Sequence, residues 1–226
     1  MVRHRTVLPM LVLWVPATAF ALNDAADPPE APEDPRRSIA VQFGLLQPIV
    51  LRGGNIEADF RWDRLVISYS HGWSLQIPRS GVTQEQHLRQ YIPFTTGLGI
   101  GAQYYFESIG LSTDLRAELK YHRFEFSLED GTGNVRRPLV EYDTITAGAG
   151  LYATWLPFHS SQRTVRGLDI GANVRAWPRV WSTLDGNRLE YYNGTTGQDE
   201  VHETADIGIA NSPILVNVSV GYLFPF

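Results

Sequence analysis

From Leu111 to His122 the side chains divide by parity: Leu111, Leu115, Ala117, Leu119 and Tyr121 fall on one side, and Asp114, Arg116, Glu118, Lys120 and His122 on the other. A β-strand sends successive side chains to opposite faces, so this order describes a strand that is apolar on one face and charged on the other. A soluble sandwich also alternates, because its outer faces are polar. What sets this chain apart is the density of charge on the polar face, the length of the strands and the aromatic residues near their ends. The charged face suits water or a polar lumen, and the opposite face suits lipid.

The same split recurs along the chain. In the last strand, Ile214, Val216, Val218, Val220, Tyr222, Phe224 and Phe226 are apolar, with Asn217, Ser219 and Gly221 between them. Leu168, Ile170, Ala172, Val174 and Ala176 alternate with Asp169, Gly171, Asn173 and Arg175. Two further runs, 97–106 and 144–155, alternate large residues with small ones, among them Gly97, Gly99, Gly101, Gly148 and Gly150. Tyr104, Tyr105 and Phe106, then Trp155 and Phe158, then Tyr222, Phe224 and Phe226 close three strands and predict an aromatic girdle at one rim. Trp73, Tyr91, Trp177 and Trp181 are the candidates for the opposite girdle.

Loop lengths set the strand count. Short turns are predicted at 52–55, at Asp63 and Arg64, near Ser108 and through 160–164, and long connections at 77–90, around Asp130-Gly131 and at 184–203. The strands between them run over 39–51, 56–62, 65–75, 90–106, from the turn near Ser108 to about Leu128, 139–155, 165–181 and 214–226. This is an all-β chain, an eight-stranded antiparallel up-and-down transmembrane β-barrel over residues 39–226. The second strand is short against the ~9 to 11 residues of a spanning strand. Ahead of the barrel, Arg3, His4 and Arg5 precede an apolar run from Val7 to Val15, and Ala19-Phe20-Ala21 offers a small-x-small cleavage site. Residues 1–21 read as a secretory signal peptide, because the run falls short of the ~20 residues of a spanning helix and contains Pro9 and Pro16. Residues 22–38, with four prolines among acidic residues, read as a disordered lead-in.

A signal peptide, eight two-faced strands and a C-terminal Phe226 with Phe224 and Tyr222 at alternate positions resemble the small outer-membrane barrels of Gram-negative bacteria. The resemblance covers everything after about Ser38 and reaches no named family. It implies an outer-membrane location, with the bilayer and lipopolysaccharide as surroundings. It also implies that Tyr222, Phe224 and Phe226 form the signal read by the barrel assembly machinery. Pro225 departs from the pattern by removing a ladder donor, which a strand end tolerates.

A barrel of eight strands has an interior just wide enough to be filled by side chains or to hold one small ligand. Glu57, Asp59, Arg61, Asp114, Arg116, Glu118, Lys120, Asp169 and Arg175 fall on the inward face and predict a network of paired charges that plugs it. The alternative is a narrow channel for small polar solutes, with the glycines leaving space. A third reading is a lipid-modifying enzyme. The lipid A deacylase family carries a histidine with a serine two positions later on a late strand, whereas here Glu203 and Thr204 follow His202. His71 faces away from Ser68 and Ser70, and His159 with Ser160 and Ser161 falls in a turn. His122, Arg123 and Glu125 read as an ion-paired cluster near the outer rim. No catalytic residue, metal site or cofactor is predicted: the chain has no cysteine and no His-x-x-x-His pair, and Asp130-Gly131-Thr132-Gly133-Asn134 leaves the calcium-loop pattern incomplete. A net charge of -5 argues against nucleic acid as a partner. Contact with other molecules is expected through the loops 77–90 and 184–203, where Arg188, Tyr191 and Tyr192 offer a surface.

Overall fold

The computed structural model describes residues 34–76, 88–129, 136–161, 164–193, 196–203 and 215–226. Residues 1–21, read above as a signal peptide, most of the first long loop and the Asp130 to Asn134 turn lie outside them. The strands are β1 (Arg37–Gly44), β2 (Gly54–Trp62), β3 (Leu65–Gln76), β4 (Leu88–Phe106), β5 (Leu111–Glu129), β6 (Arg136–Trp155), β7 (Leu168–Ala176), β8 (Arg179–Ser182), β9 (Arg188–Asn193), β10 (Gln198–Glu203) and β11 (Leu215–Pro225). A short helix, α1 (Leu46–Val50), lies between β1 and β2.

All pairings are antiparallel, and the sheet runs β5-β4-β3-β2-β1-β11-β7-β6 with β5 also pairing β6. That last pairing closes the sheet on itself. Because β8 resumes β7 beyond Trp177-Pro178 and pairs the same neighbour, the barrel has eight staves. Pro178 has no N–H to give the ladder, which is why the strand breaks there. The first and last strands meet in the wall, where Ser38 faces Pro225 and the Phe226 N–H reaches the Arg37 carbonyl at 3.0 Å.

One end of the barrel is made of tight turns. Asp63 takes a positive φ of 51° between Trp62 and Leu65, and Gly110, at φ 63°, ends the turn between β4 and β5. A left-handed backbone is nearly free for glycine and tolerable for aspartate. Outside the wall at this end, Arg36 hydrogen-bonds Asp34 and holds its carboxyl below the usual carboxylate range.

The other end differs from the sequence expectation in two places. The first strand stops at Gly44 rather than running to Leu51, because Leu45-Leu46 breaks the alternation and 46–50 close a helical turn. Pro48 fits there, since the first turn of a helix needs no N–H from it. The connection at 184–203 is not an open loop: β9 and β10 pair as a hairpin from Arg188↔Glu203 to Asn193↔Gln198. Leu189 and Tyr191 of this hairpin pack with Leu75, Ile92, Phe124, Phe126, Leu128 and Tyr142 on the long upper ends of the barrel strands. A smaller apolar group, Ala40, Leu156 and Leu223 with Tyr105 against it, fills the turn end.

Between these two apolar groups the polarity is inverted relative to a soluble protein. Arg61, Arg116, Asp59 and Asp169 are each 1% exposed, while Leu98, Ile100, Leu115, Leu119, Leu151 and Val216 are more than half exposed on the outside. A contiguous apolar exterior of this kind is stable against lipid and not against water.

Candidate functional site: the charged barrel interior

Register explains how a lumen this narrow holds so many long side chains. On β5, Arg116 faces Gly101 of β4 on one side and Gly150 of β6 on the other, and Glu118 faces Gly99 and Gly148 in the same way. A Cβ on Gly101 would come within 2.8 Å of Arg116 Cγ, and one on Gly150 within 2.7 Å of the Tyr152 ring. Gly101 and Gly150 therefore leave room that the Arg116 stem and the Tyr152 ring occupy.

Arg116 is the hub. Its Nη1 donates to Glu57 Oε1 at 2.7 Å and Asp59 Oδ1 at 2.8 Å, its Nη2 donates to Asp59 Oδ2 at 2.7 Å, and its Nε donates to Asp114. The guanidinium lies 3.8 Å from the centre of the Tyr152 ring. Planar, bidentate geometry of this sort is what arginine offers and lysine does not. Arg61 donates to Asp59 at 3.2 Å and to Thr154 Oγ1 at 3.0 Å, and Gln42 donates to Asp169 at 2.7 Å.

Above the hub, Glu118 accepts from the Tyr152 hydroxyl and from the Trp177 indole. Lys120 donates to Ser70 Oγ at 2.8 Å, lies 3.7 Å from Glu118 and sits 4.3 Å from the Trp177 ring centre. Arg175 donates to Asn173 Oδ1 at 2.6 Å and stands 3.7 Å from Glu57. His122 is wholly buried between Thr95 Oγ1 at 2.7 Å and Thr146 Oγ1 at 2.9 Å.

Glu57, Asp59, Arg61, Asp114, Arg116, Glu118, Lys120, Asp169 and Arg175 thus all lie inside the barrel. The structure does not assemble the His122, Arg123 and Glu125 cluster: His122 points inward, while Arg123 points out and pairs across the ladder with Glu141 at 2.8 Å. Trp177 is another correction. It is 5% exposed and belongs to the interior network rather than to a girdle. Its parity matches Asp169, Asn173 and Arg175, a signal the pattern carried. Tyr105 likewise turns inward, leaving Tyr104 and Phe106 on the outer rim with Trp155, Phe158, Phe224 and Phe226. Tyr222 is half-buried beside Phe224, with ring centres 4.7 Å apart. His71 lies on the outer face between Tyr69 and Trp73, stacked on both. Of the residues predicted for a contact surface, Tyr192 is exposed, but Tyr191 is buried and donates to Glu200.

Among the described residues no group of His, Asp and Glu could hold a metal ion. Closed strand order, inverted polarity and a charged interior define the class: an eight-stranded antiparallel β-barrel. No family model matches the chain, and no curated protein matches it. Among solved structures it is similar to the N-terminal β-barrel domain of Pseudomonas aeruginosa OprF, at 11% identity and a TM-score of 0.41, over 84% of this chain and 98% of that one. It is also similar to Neisserial surface protein A, at 12% identity and a TM-score of 0.42, over 84% of this chain and 94% of that one. The barrel assignment rests on the strand register itself.

Proposed function

We propose that this chain is an integral protein of the Gram-negative outer membrane, a sealed barrel that serves a structural or surface-contact role through its loop end. The observation that carries this reading is the Arg116 hub, which ties β5 to β2 across the lumen with apolar groups packed above and below it. In so narrow a barrel, paired charges offset one another's desolvation and close the bore. The apolar outer band and its rim aromatics support a lipid setting, with lipopolysaccharide at the loop end. Tyr222, Phe224 and Phe226 at the closing strand suit a signal for the barrel assembly machinery. The loop end offers a contact surface on the β9 and β10 hairpin, where Tyr192 and Val201 are exposed.

The test is conductance in planar bilayers. A sealed barrel gives no discrete steps; reproducible single-channel steps from the intact protein would replace this reading with the solute channel. Membrane extracts run boiled and unboiled test the barrel in its setting, since a folded barrel migrates differently before heating. Loss of an acyl chain from lipopolysaccharide after incubation, seen by mass spectrometry, would replace a structural role with an enzymatic one.

A further inference from the structure

Beneath α1 the interior is not filled. A cavity of about 200 Å³ separates the upper apolar group from the charged hub. Its floor carries Lys120 and Arg175 with the Trp177 ring between them, and its upper wall is Leu46, Val50 and Leu51 of the α1 segment. None of its lining residues is acidic. Glu118 and Glu57 pair with Lys120 and Arg175 at 3.7 Å, beyond hydrogen-bond reach, and take their hydrogen bonds from the Tyr152 and Trp177 donors and from Arg116. Lys120 makes one hydrogen bond, to Ser70, and Arg175 makes one, to Asn173, so each ion-paired cation keeps N–H groups without a hydrogen-bond acceptor among the described residues.

Two acceptors complete the pattern. The side-chain oxygens of Gln47 and Asn217 are buried at the cavity wall with no hydrogen-bond partner, and Asn217 is only 5% exposed. A buried acceptor without a donor is costly, so both favour a guest that brings an O–H or N–H. The cavity therefore presents buried cationic donors, buried orphan acceptors and an apolar wall to one small volume. An engineered apolar cavity of about 150 Å³ takes benzene, which sets the guest here at about eight non-hydrogen atoms.

We propose that the cavity beneath α1 binds a small amphipathic carboxylate that also carries a hydroxyl or amide N–H. Its carboxylate lies against Lys120 and Arg175, its donor meets Asn217 or Gln47, and its short aliphatic part packs under Leu46, Val50 and Leu51. This goes beyond the surface role proposed above and needs only the folded barrel.

The probe is 3-hydroxyhexanoate, titrated by calorimetry into the full mature barrel in lipid nanodiscs, with empty nanodiscs as the blank. Binding in the millimolar range or tighter is expected. Hexanoate, lacking the hydroxyl, binds about fivefold more weakly and 1-hexanol, lacking the charge, at least about tenfold more weakly. Lys120→Gln weakens 3-hydroxyhexanoate by at least about tenfold. Leu46→Trp, which fills the cavity without touching the charges, abolishes binding. Both variants are first shown to be folded by the boiled and unboiled gel shift, which also separates failure of this proposal from failure of the barrel itself. Absence of heat from the intact barrel overturns the proposal, as does binding that both folded variants retain unchanged.

Discussion

Replacing Arg116 by methionine removes the hub while keeping much of its aliphatic bulk. Asp114 then has no other partner among the described residues, Glu57 keeps only Arg175 at 3.7 Å, and Asp59 keeps Arg61 at 3.2 Å. One buried carboxylate is orphaned outright and two lose their better partner. Removing one member of a buried pair costs about 3 to 5 kcal/mol, because an uncompensated charge stays behind. A loss of about 4 kcal/mol is therefore expected for Arg116→Met, a large part of the 5 to 15 kcal/mol typical of a folded domain. With a urea dependence of about 2 kcal/mol per molar, the unfolding midpoint drops by about 2 M. The assay is urea unfolding of the refolded barrel in lipid vesicles, followed by tryptophan fluorescence and by the gel shift. Adding Asp114→Asn to Arg116→Met neutralises the orphan and recovers at least about half of the loss. If the double variant is no more stable than the single one, the loss comes from packing against Tyr152 rather than from unpaired charge, and the reasoning fails. A single-variant shift under about 0.5 M would refute it as directly.

Three further outcomes follow from the same geometry. Glu141→Gln breaks an ion pair whose side chains are both about half exposed, so stability changes by less than about 1 kcal/mol in the same urea assay, a direct contrast with Arg116. A Cβ at Gly148 would meet the Ala176 carbonyl and come within 2.9 Å of Trp177 Cα, both backbone; Gly148→Ala should cost about 1 to 3 kcal/mol, read from the thermal loss of the gel shift. Phe224→Ala with Phe226→Ala removes rim aromatics from the closing strand, where Phe226 packs on Phe60 and Trp62, and should lower the heat-modifiable fraction recovered from membranes. Equal recovery would remove these residues from the proposed assembly signal.

How much of this was legible beforehand depended on which physical signal carried it. Alternation between Leu111 and His122 assigned each side chain to a face because the strand period is two and has no tertiary exception along a regular stave. That same rule placed Trp177 inside, a reading obscured by treating aromatics near strand ends as rim residues. Ser74, at φ 56°, shows where parity fails: the strand shifts there, so Leu75 and not its neighbour becomes buried. The helical turn at 46–50 and the β9 and β10 hairpin were hidden for a different reason. Their short segments carry weak periodicity, and what holds them is packing onto strands distant in sequence.

The linear order of residues by itself determined that the chain makes two-faced strands, which face of each is charged, and where the tight turns such as Asp63-Arg64 fall. Those follow from backbone geometry and local turn chemistry, which act over a few residues. Only the tertiary structure decided which carboxylates share Arg116, that Gly99 and Gly101 stand opposite Glu118 and Arg116, and that α1 roofs a cavity above Lys120 and Arg175. Such facts depend on register and closure, set by contacts such as Ser38 with Pro225 between residues at opposite ends of the barrel sequence, and no local pattern encodes them.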